Sequence, residues 1–572
     1  MIRKTSLCIA AVISFVQLPC FAGGGPENVF LLVNSTSANS MEVANHYVDL
    51  RQIPESNVFY LPYLGSKSVV NGDTFRGQIL LPALIEIDKR ELTGRIDYLV
   101  YSCDFPWRIN LTSDYPGKKF PPQLSPRGGL TGLTYLAAFV KQKREEVVGL
   151  NTNLYFIEPT RGVTISRAFK SKYRWAVGGR RTAAQGLSYI ISSMLGVTDD
   201  RGNKVSEIVN CLKLARSADG TSPSGTVYYM KHGGPRSKPR HEFFAGAASE
   251  LRTLGVEAKI LPGKFPENKS SIAGLTCGTA RAELGRSGCR FLPGAFCDNL
   301  TSYGGTLSNY KPPIDKKTGK KSVYQVSVAD FIRYGATSAC GTVFEPYSIK
   351  QKFPVPSVHV HYVNGCSLGE SFYQSVQGPY QQLLVGDPLC QPWAKIPTVE
   401  AKELGVRGML RGTVRFTPTV DAEHDMPIDF FELFVDGERI GQCKPGGELQ
   451  WDTTTTEDGY HEVRIVSVDD TPIATQGRLV KVIGVKNGLD AIGLSTDRRQ
   501  IALTDEFVTV NVASTVESQV ELFCNTRKVG SLASGSGRVR IPLNKLGAGP
   551  VEVYAIGAGQ RSKSIGFEIA VR

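Results

Sequence analysis

No C-x-x-C pair occurs among the 12 cysteines of this 572-residue sequence, which removes the usual spacing of a structural zinc site. After the first 16 positions no run approaches the roughly 20 consecutive apolar residues that a membrane-crossing helix needs, so no transmembrane segment is expected there. Acid is short relative to base: 66 Lys and Arg against 53 Asp and Glu leave a net charge of +13. Such a surface favours anionic partners, among them acidic polysaccharide, lipid head groups and acidic peptide. The bases are scattered except at Lys316-Lys317-Thr318-Gly319-Lys320-Lys321, which reads as a solvated loop tip, and no nucleic-acid partner is expected. Disorder is not the main theme either, since 41% hydrophobic and 21% charged residues are ordinary globular values. The length is too great for a single core and calls for several domains.

The amino terminus carries the clearest signal. Arg3 and Lys4 precede an apolar run from Leu7 to Val16, and Cys20-Phe21-Ala22 supplies a cleavage site before Gly23-Gly24-Gly25. This predicts a secretory signal peptide over residues 1–22 and an exported product, periplasmic, cell-surface or extracellular. Envelope or extracellular polymers, or other exported proteins, are then the expected partners. Loss of Arg3 and Lys4 lowers the charge from +13 to +11. Ten cysteines remain once Cys8 and Cys20 are removed, too dilute for a disulfide scaffold but compatible with a few bridges, with Cys277 to Cys289 as the expected pair.

Residues 28–180 read as a first α/β subdomain, with apolar runs at 29–33, 58–61 and 96–101 separated by helical spacing. Residues 181–397 read as a second α/β subdomain, with helices over 183–195, 204–215 and 240–254 and strands at 226–230, 256–261, 272–276, 290–296 and 336–343. After Pro397 the pattern becomes short alternating strands, giving two all-β sandwiches over 398–487 and 488–572. The first contains Asp436-Gly437, a strong hairpin signal, and Trp451-Asp452-Thr453-Thr454 followed by Asp458-Gly459-Tyr460-His461. That arrangement resembles bacterial immunoglobulin-like modules. Each sandwich holds one cysteine, Cys443 or Cys524, so neither can carry an antibody-type internal bridge.

Ligands in parallel sheets gather at the carboxyl ends of strands. Asp104 follows the third strand, and Cys297 and Asp298 lie near the end of a later one, before Ser302 and Gly304-Gly305. A cysteine there can be presented as a nucleophile, with His232 of His232-Gly233-Gly234 as the base available to it. The segment from Lys231 to Arg240 joins a strand to a helix and combines glycines with Arg236, Arg240 and two lysines, which suits a phosphate, sulfate or carboxylate. His359 and His361 would share one face if their segment were a strand, with Asp298 or Glu345 as the residue that could complete a metal set. Two histidines without a third ligand do not make a metal site, and no cofactor is expected.

The order of elements resembles the caspase-like fold of gingipain-type peptidases: a nucleophile strand, a helix, the Gly335-Ala336 to Gly341 strand, a helix carrying Glu370, and Gly386-Asp387-Pro388. More closely, residues 28–395 resemble an exported bacterial family of unknown function found in species with exosortase-type sorting systems. The motifs are Asp298-x-Leu300-Thr301-Ser302-x-Gly304-Gly305, Gly341-Thr342-Val343-x-Glu345-Pro346 and Gly386-Asp387-Pro388-Leu389. The resemblance implies a caspase-like body but no established activity, and the strand that should end in the catalytic histidine ends in Cys277-Gly278. Three functions follow: an exported binder of an anionic or peptide ligand, a cysteine hydrolase or transpeptidase acting on secreted proteins, and a surface-assembly component.

Overall fold

The computed structural model describes residues 23–571 except 160–162, 183, 309–323, 406–407, 422, 489–491 and 516. The proposed signal peptide and the Lys316–Lys321 cluster therefore lie outside the described residues. No helix among the described residues is long and apolar enough to cross a membrane.

Ten strands form one sheet across residues 29–386. In chain order they are β1 (Val29–Asn34), β2 (Val58–Leu61), β3 (Tyr98–Tyr101), β4 (Ile191–Met194), β5 (Thr226–Lys231), β6 (Glu257–Pro262), β7 (Ile272–Cys277), β8 (Phe291–Asn299), β9 (Ser338–Thr342) and β10 (Gln382–Gly386). The spatial order is β6-β5-β7-β8-β9-β10-β4-β3-β1-β2. β5 to β9 pair in parallel and β10 runs antiparallel to β9. All six residues of β1 and of β7 are buried, as continuous apolar strands between helical layers should be.

The covering helices include α1 (Ala38–Arg51), α2 (Val205–Ala218), α3 (His241–Thr253), α4 (Val358–Val363) and α5 (Leu368–Ser375). The Ser37 side chain caps α1 by accepting from the Ser40 N–H, and Gln52, at φ 51°, ends it in the left-handed region.

Three sequence expectations fail. Residues 183–195 contain no helix among those described; Ile191–Met194 is strand β4, because these four buried residues pair in parallel with Tyr98–Tyr101. Cys277 and Cys289 are not bridged: both thiols are free, Cys277 buried against Asn299 and Cys289 donating to the Pro266 carbonyl at 3.2 Å. His359 and His361 lie on helix α4, where an i, i+2 pair points to different sides. Their ring partners are Thr276 and Ser166, and among the described residues no group of three His, Cys, Asp or Glu could hold a metal ion.

Beyond residue 398 the chain is β-structure with two further cores. One holds Phe416, Phe431, Leu433, Trp451, Val463 and Ile465; the other holds Val510, Leu522, Val539, Ile541, Val553 and Ile569. Asp436 and Gly437, at φ 49° and 82°, make the tight turn between strands Ile428–Val435 and Glu438–Cys443. The two modules join where Asp458 and Gly459 pair with Gln560 and Arg561. Both are docked on the α/β body. Asn45 of α1 donates to the carbonyls of Leu546 and Ala548 at 2.9 and 2.7 Å, and Arg561 grips Glu55 with two bonds of 2.7 and 2.9 Å.

Candidate functional site at the carboxyl edge of the sheet

Because β5, β7, β8 and β9 run parallel, the segments that leave them share one edge. The centre of this edge is a buried ion pair. Asp298 of β8 is in register with Thr276 of β7 and Cys340 of β9, so the three side chains share a face. Arg240, just before α3, pairs with the Asp298 carboxylate and also donates to the Cys277 carbonyl. Each member of the pair is only 1% exposed. Burial lowers the Arg240 guanidinium to about 10, which leaves it charged near neutral pH. On the same face His359 lies 3.1 Å from the Thr276 hydroxyl, and burial, with Arg240 adding to it, pushes the imidazole down to about 3, so it is neutral.

The thiols are poor nucleophiles. Cys297 is completely buried beside Leu275 and Ala339, and burial raises its thiol far above the ordinary range. Cys277, pushed up to about 12 by burial, donates to Asn299 Oδ1 at 3.4 Å. The Asn299 amide also accepts from Thr279 N–H at 2.8 Å and donates to the Thr279 carbonyl at 2.9 Å, closing the turn after β7.

His232 Nδ1 accepts from the Gly234 N–H at 3.0 Å, which puts the ring proton on Nε2, and Nε2 donates to the Gly278 carbonyl at 2.8 Å. Both nitrogens are thus occupied in bracing the loop against β7. No hydrogen bond joins Cys297 to His232 or to any other histidine among the described residues. A Cβ at Gly278 would lie 2.2 Å from the Arg236 carbonyl, so only glycine lets the loop pack this closely.

Lys231, Arg236 and Lys238 decorate that loop, and none of the three forms an ion pair with a described carboxylate. Arg236 Nε is buried without a partner. His241 at the start of α3 is lowered by burial and then by Lys231, His232, Lys238 and Arg240, the signature of a locally positive field. The helix amino terminus adds to it.

Ser302 is 9% exposed in the loop after β8, and its carbonyl faces the Thr342 hydroxyl at 3.5 Å. Glu345, after β9, accepts from the Tyr347 N–H at 3.0 Å. Asp104 belongs to a second polar cluster, at the ends of β1, β3 and β4, where it accepts from Ser37, Thr198 and, at 2.6 Å, Lys67. Its φ of 59° is a strained value for a non-glycine residue and fits a hub held by several partners.

Sequence reading missed Lys352, which is fully buried and donates to the Gln123 carbonyl and, at 2.9 Å, to Gln381 Oε1. Its only signal was its position seven residues after Glu345, whose negative charge partly offsets the effect of burial. Burial lowers its amine from 10.5 to about 8. The folded state therefore binds fewer protons than the unfolded state between about pH 8 and 10.5, and Lys352 becomes less destabilising as pH rises through that window. Denaturation of the wild type and Lys352→Met at several pH values should show the wild type gaining on the variant across that range. A constant difference would refute the assignment.

No protein-family model matches the chain, and no curated protein matches it. Solved structures do. The complex of the pro- and mature domains of Porphyromonas gingivalis RgpB aligns over 80% of this chain and 100% of that one, at 9% identity and a TM-score of 0.39. The Arg-specific cysteine proteinase gingipain R aligns over 80% and 98%, at 11% identity and a TM-score of 0.37. Fibronectin(III)-like modules of Clostridium thermocellum CbhA align over 31% of this chain and 94% of theirs, at 15% identity and a TM-score of 0.14.

Proposed function

We propose that this chain is an exported, multidomain envelope or extracellular protein whose caspase-like α/β body binds an anionic ligand and performs no peptidase chemistry, with immunoglobulin-like modules over 398–487 and 488–572. The observation that carries the reading is the set of uncompensated cations, Lys231, Arg236 and Lys238, beside the amino terminus of α3. A group bearing several negative oxygens would meet charge, backbone N–H and the buried Arg236 Nε together. The hydrolase reading would need Cys297 to leave its buried site and His232 to give up two backbone hydrogen bonds. Attachment or assembly through the C-terminal modules is compatible with the binding role, and deletion of residues 399–572 tests it by localisation.

Binding of a sulfated polysaccharide to the mature protein should weaken as salt rises, and a triple Lys231→Glu, Arg236→Glu, Lys238→Glu variant should bind at least about ten-fold more weakly. Unchanged affinity in that variant would remove the site. Peptide hydrolysis by the mature protein that disappears in Cys297→Ala would replace the binding role with the hydrolase.

A further inference from the structure

The three glycines after the proposed cleavage point are buried where side chains do not fit. A Cβ on Gly24 would lie 1.9 Å from the Tyr98 ring, and one on Gly25 would lie 2.2 Å from the Arg478 guanidinium. At Gly23 the three heavy atoms nearest to where a Cβ would stand are all oxygens. Its nitrogen donates to the Ile473 carbonyl at 3.1 Å, and the position a Cβ would take is 2.9 Å from that oxygen, 3.5 Å from the Ala474 carbonyl and 3.5 Å from Glu370 Oε1. Ile473 and Ala474 belong to the first C-terminal module, whereas Glu370 lies on α5 of the α/β body, 1% exposed. The Glu370 carboxylate accepts from the N–H groups of Phe169 and Ser367 at 2.9 and 3.0 Å, and no cation forms an ion pair with it among the described residues. Burial pushes its carboxyl above the usual range.

A peptide nitrogen offers this nest of oxygens one hydrogen and no charge. A free α-ammonium offers three hydrogens and a positive charge in direct contact, where Glu370 otherwise has Lys170 acting on it only from a distance. We infer that hydrolysis of the Ala22–Gly23 bond creates the amino group for which this crevice is built. Water supplies hydroxide to the Ala22 carbonyl carbon, the bond to nitrogen breaks, and Gly23 leaves as an amine that is protonated at neutral pH. The ammonium then pairs with Glu370 and the Ile473 and Ala474 carbonyls, pinning the α/β body to the first C-terminal module. Removal of the leader thus completes the junction as well as releasing the chain. The triglycine is there because the terminus must thread between Tyr98, Arg478 and the module loop.

This inference rests on the export reading, and the experiment separates the two. Amino-terminal sequencing of the exported protein should return Gly23; any other first residue defeats the cleavage assignment. Independently, a chain trimmed in vitro to begin at Gly23 is treated with an amine-directed reagent, and the terminal peptide is followed by mass spectrometry. In the native protein the α-amine should react at least about ten-fold more slowly than in the denatured protein. Glu370→Gln should speed that reaction towards the denatured rate, and a chain retaining Ala22 before Gly23 should react freely and melt at a lower temperature. A native α-amine that reacts as fast as the denatured one, or protection untouched by Glu370→Gln, overturns the pin whatever the sequencing shows.

Discussion

Asp298→Leu should destabilise the α/β body by about 3–5 kcal/mol, because it leaves the Arg240 guanidinium charged, buried and without its carboxylate. The guanidinium cannot escape to water from a site 1% exposed, and neither its remaining hydrogen bond, to the Cys277 carbonyl, nor the Phe353 ring beneath it neutralises it. Arg240→Met should cost a similar amount for the converse reason: it strands the carboxylate and removes the donor that holds the end of β7. The double variant Asp298→Leu, Arg240→Met should recover much of the loss, since a buried pair replaced by apolar groups is often close to neutral. Denaturant titrations of the four proteins form a double-mutant cycle. Additive costs would show that the two residues do not act as a pair, and costs below about 1 kcal/mol would show that water screens the two charges.

Local patterns made the architecture legible. Apolar runs alternating with helical spacing announced a parallel sheet, and the switch to short alternating strands after Pro397 announced the β-structure that follows. The errors came where local signals are degenerate. The run through Tyr189, Ile190 and Ile191 suits a buried helix or a buried strand, and only its neighbours β3 and β10 decide. His359 and His361 suggested one face only on the assumption of a strand. Within the candidate site, the residue types were visible but their pairings were not. Arg240 and Asp298 are 58 residues apart, so what first looked like an anion-binding arginine and a binding acid are each other's partners. Lys352 carried no motif at all; its burial arises from Gln123 and Gln381, which tertiary folding brings to it.

Docking of the first C-terminal module depends on a second buried ion network, and it yields the other large expected effect. Arg464, fully buried, reaches Glu27 of the body at 3.0 Å, Glu462 at 2.6 Å and the Gln52 carbonyl. Arg478 approaches the same Glu27 oxygen at 3.3 Å. Arg464→Met should therefore cost about 3 kcal/mol or more, as removal of one partner from a buried pair does, and should loosen the module from the body. Burial pushes the Glu27 carboxyl up, but Arg478 and Arg464 outweigh it, and the net position is below the usual 4.5. A carboxyl lowered by folding contributes stability that is present above 4.5 and is lost as pH falls through its folded value. Thermal unfolding of the wild type should thus weaken as pH falls below about 4.5, whereas Arg464→Met, with Glu27 less strongly held, should show a shallower acid dependence. Equal acid slopes in the two proteins would mean that Arg464 is not what holds the Glu27 charge. A stability loss without increased proteolysis between the body and the module would place the effect inside the module, not at its junction. Glu27 lies four residues from Gly23, so the network holding the module also fixes the strand of chain on which the amino-terminal glycines are laid.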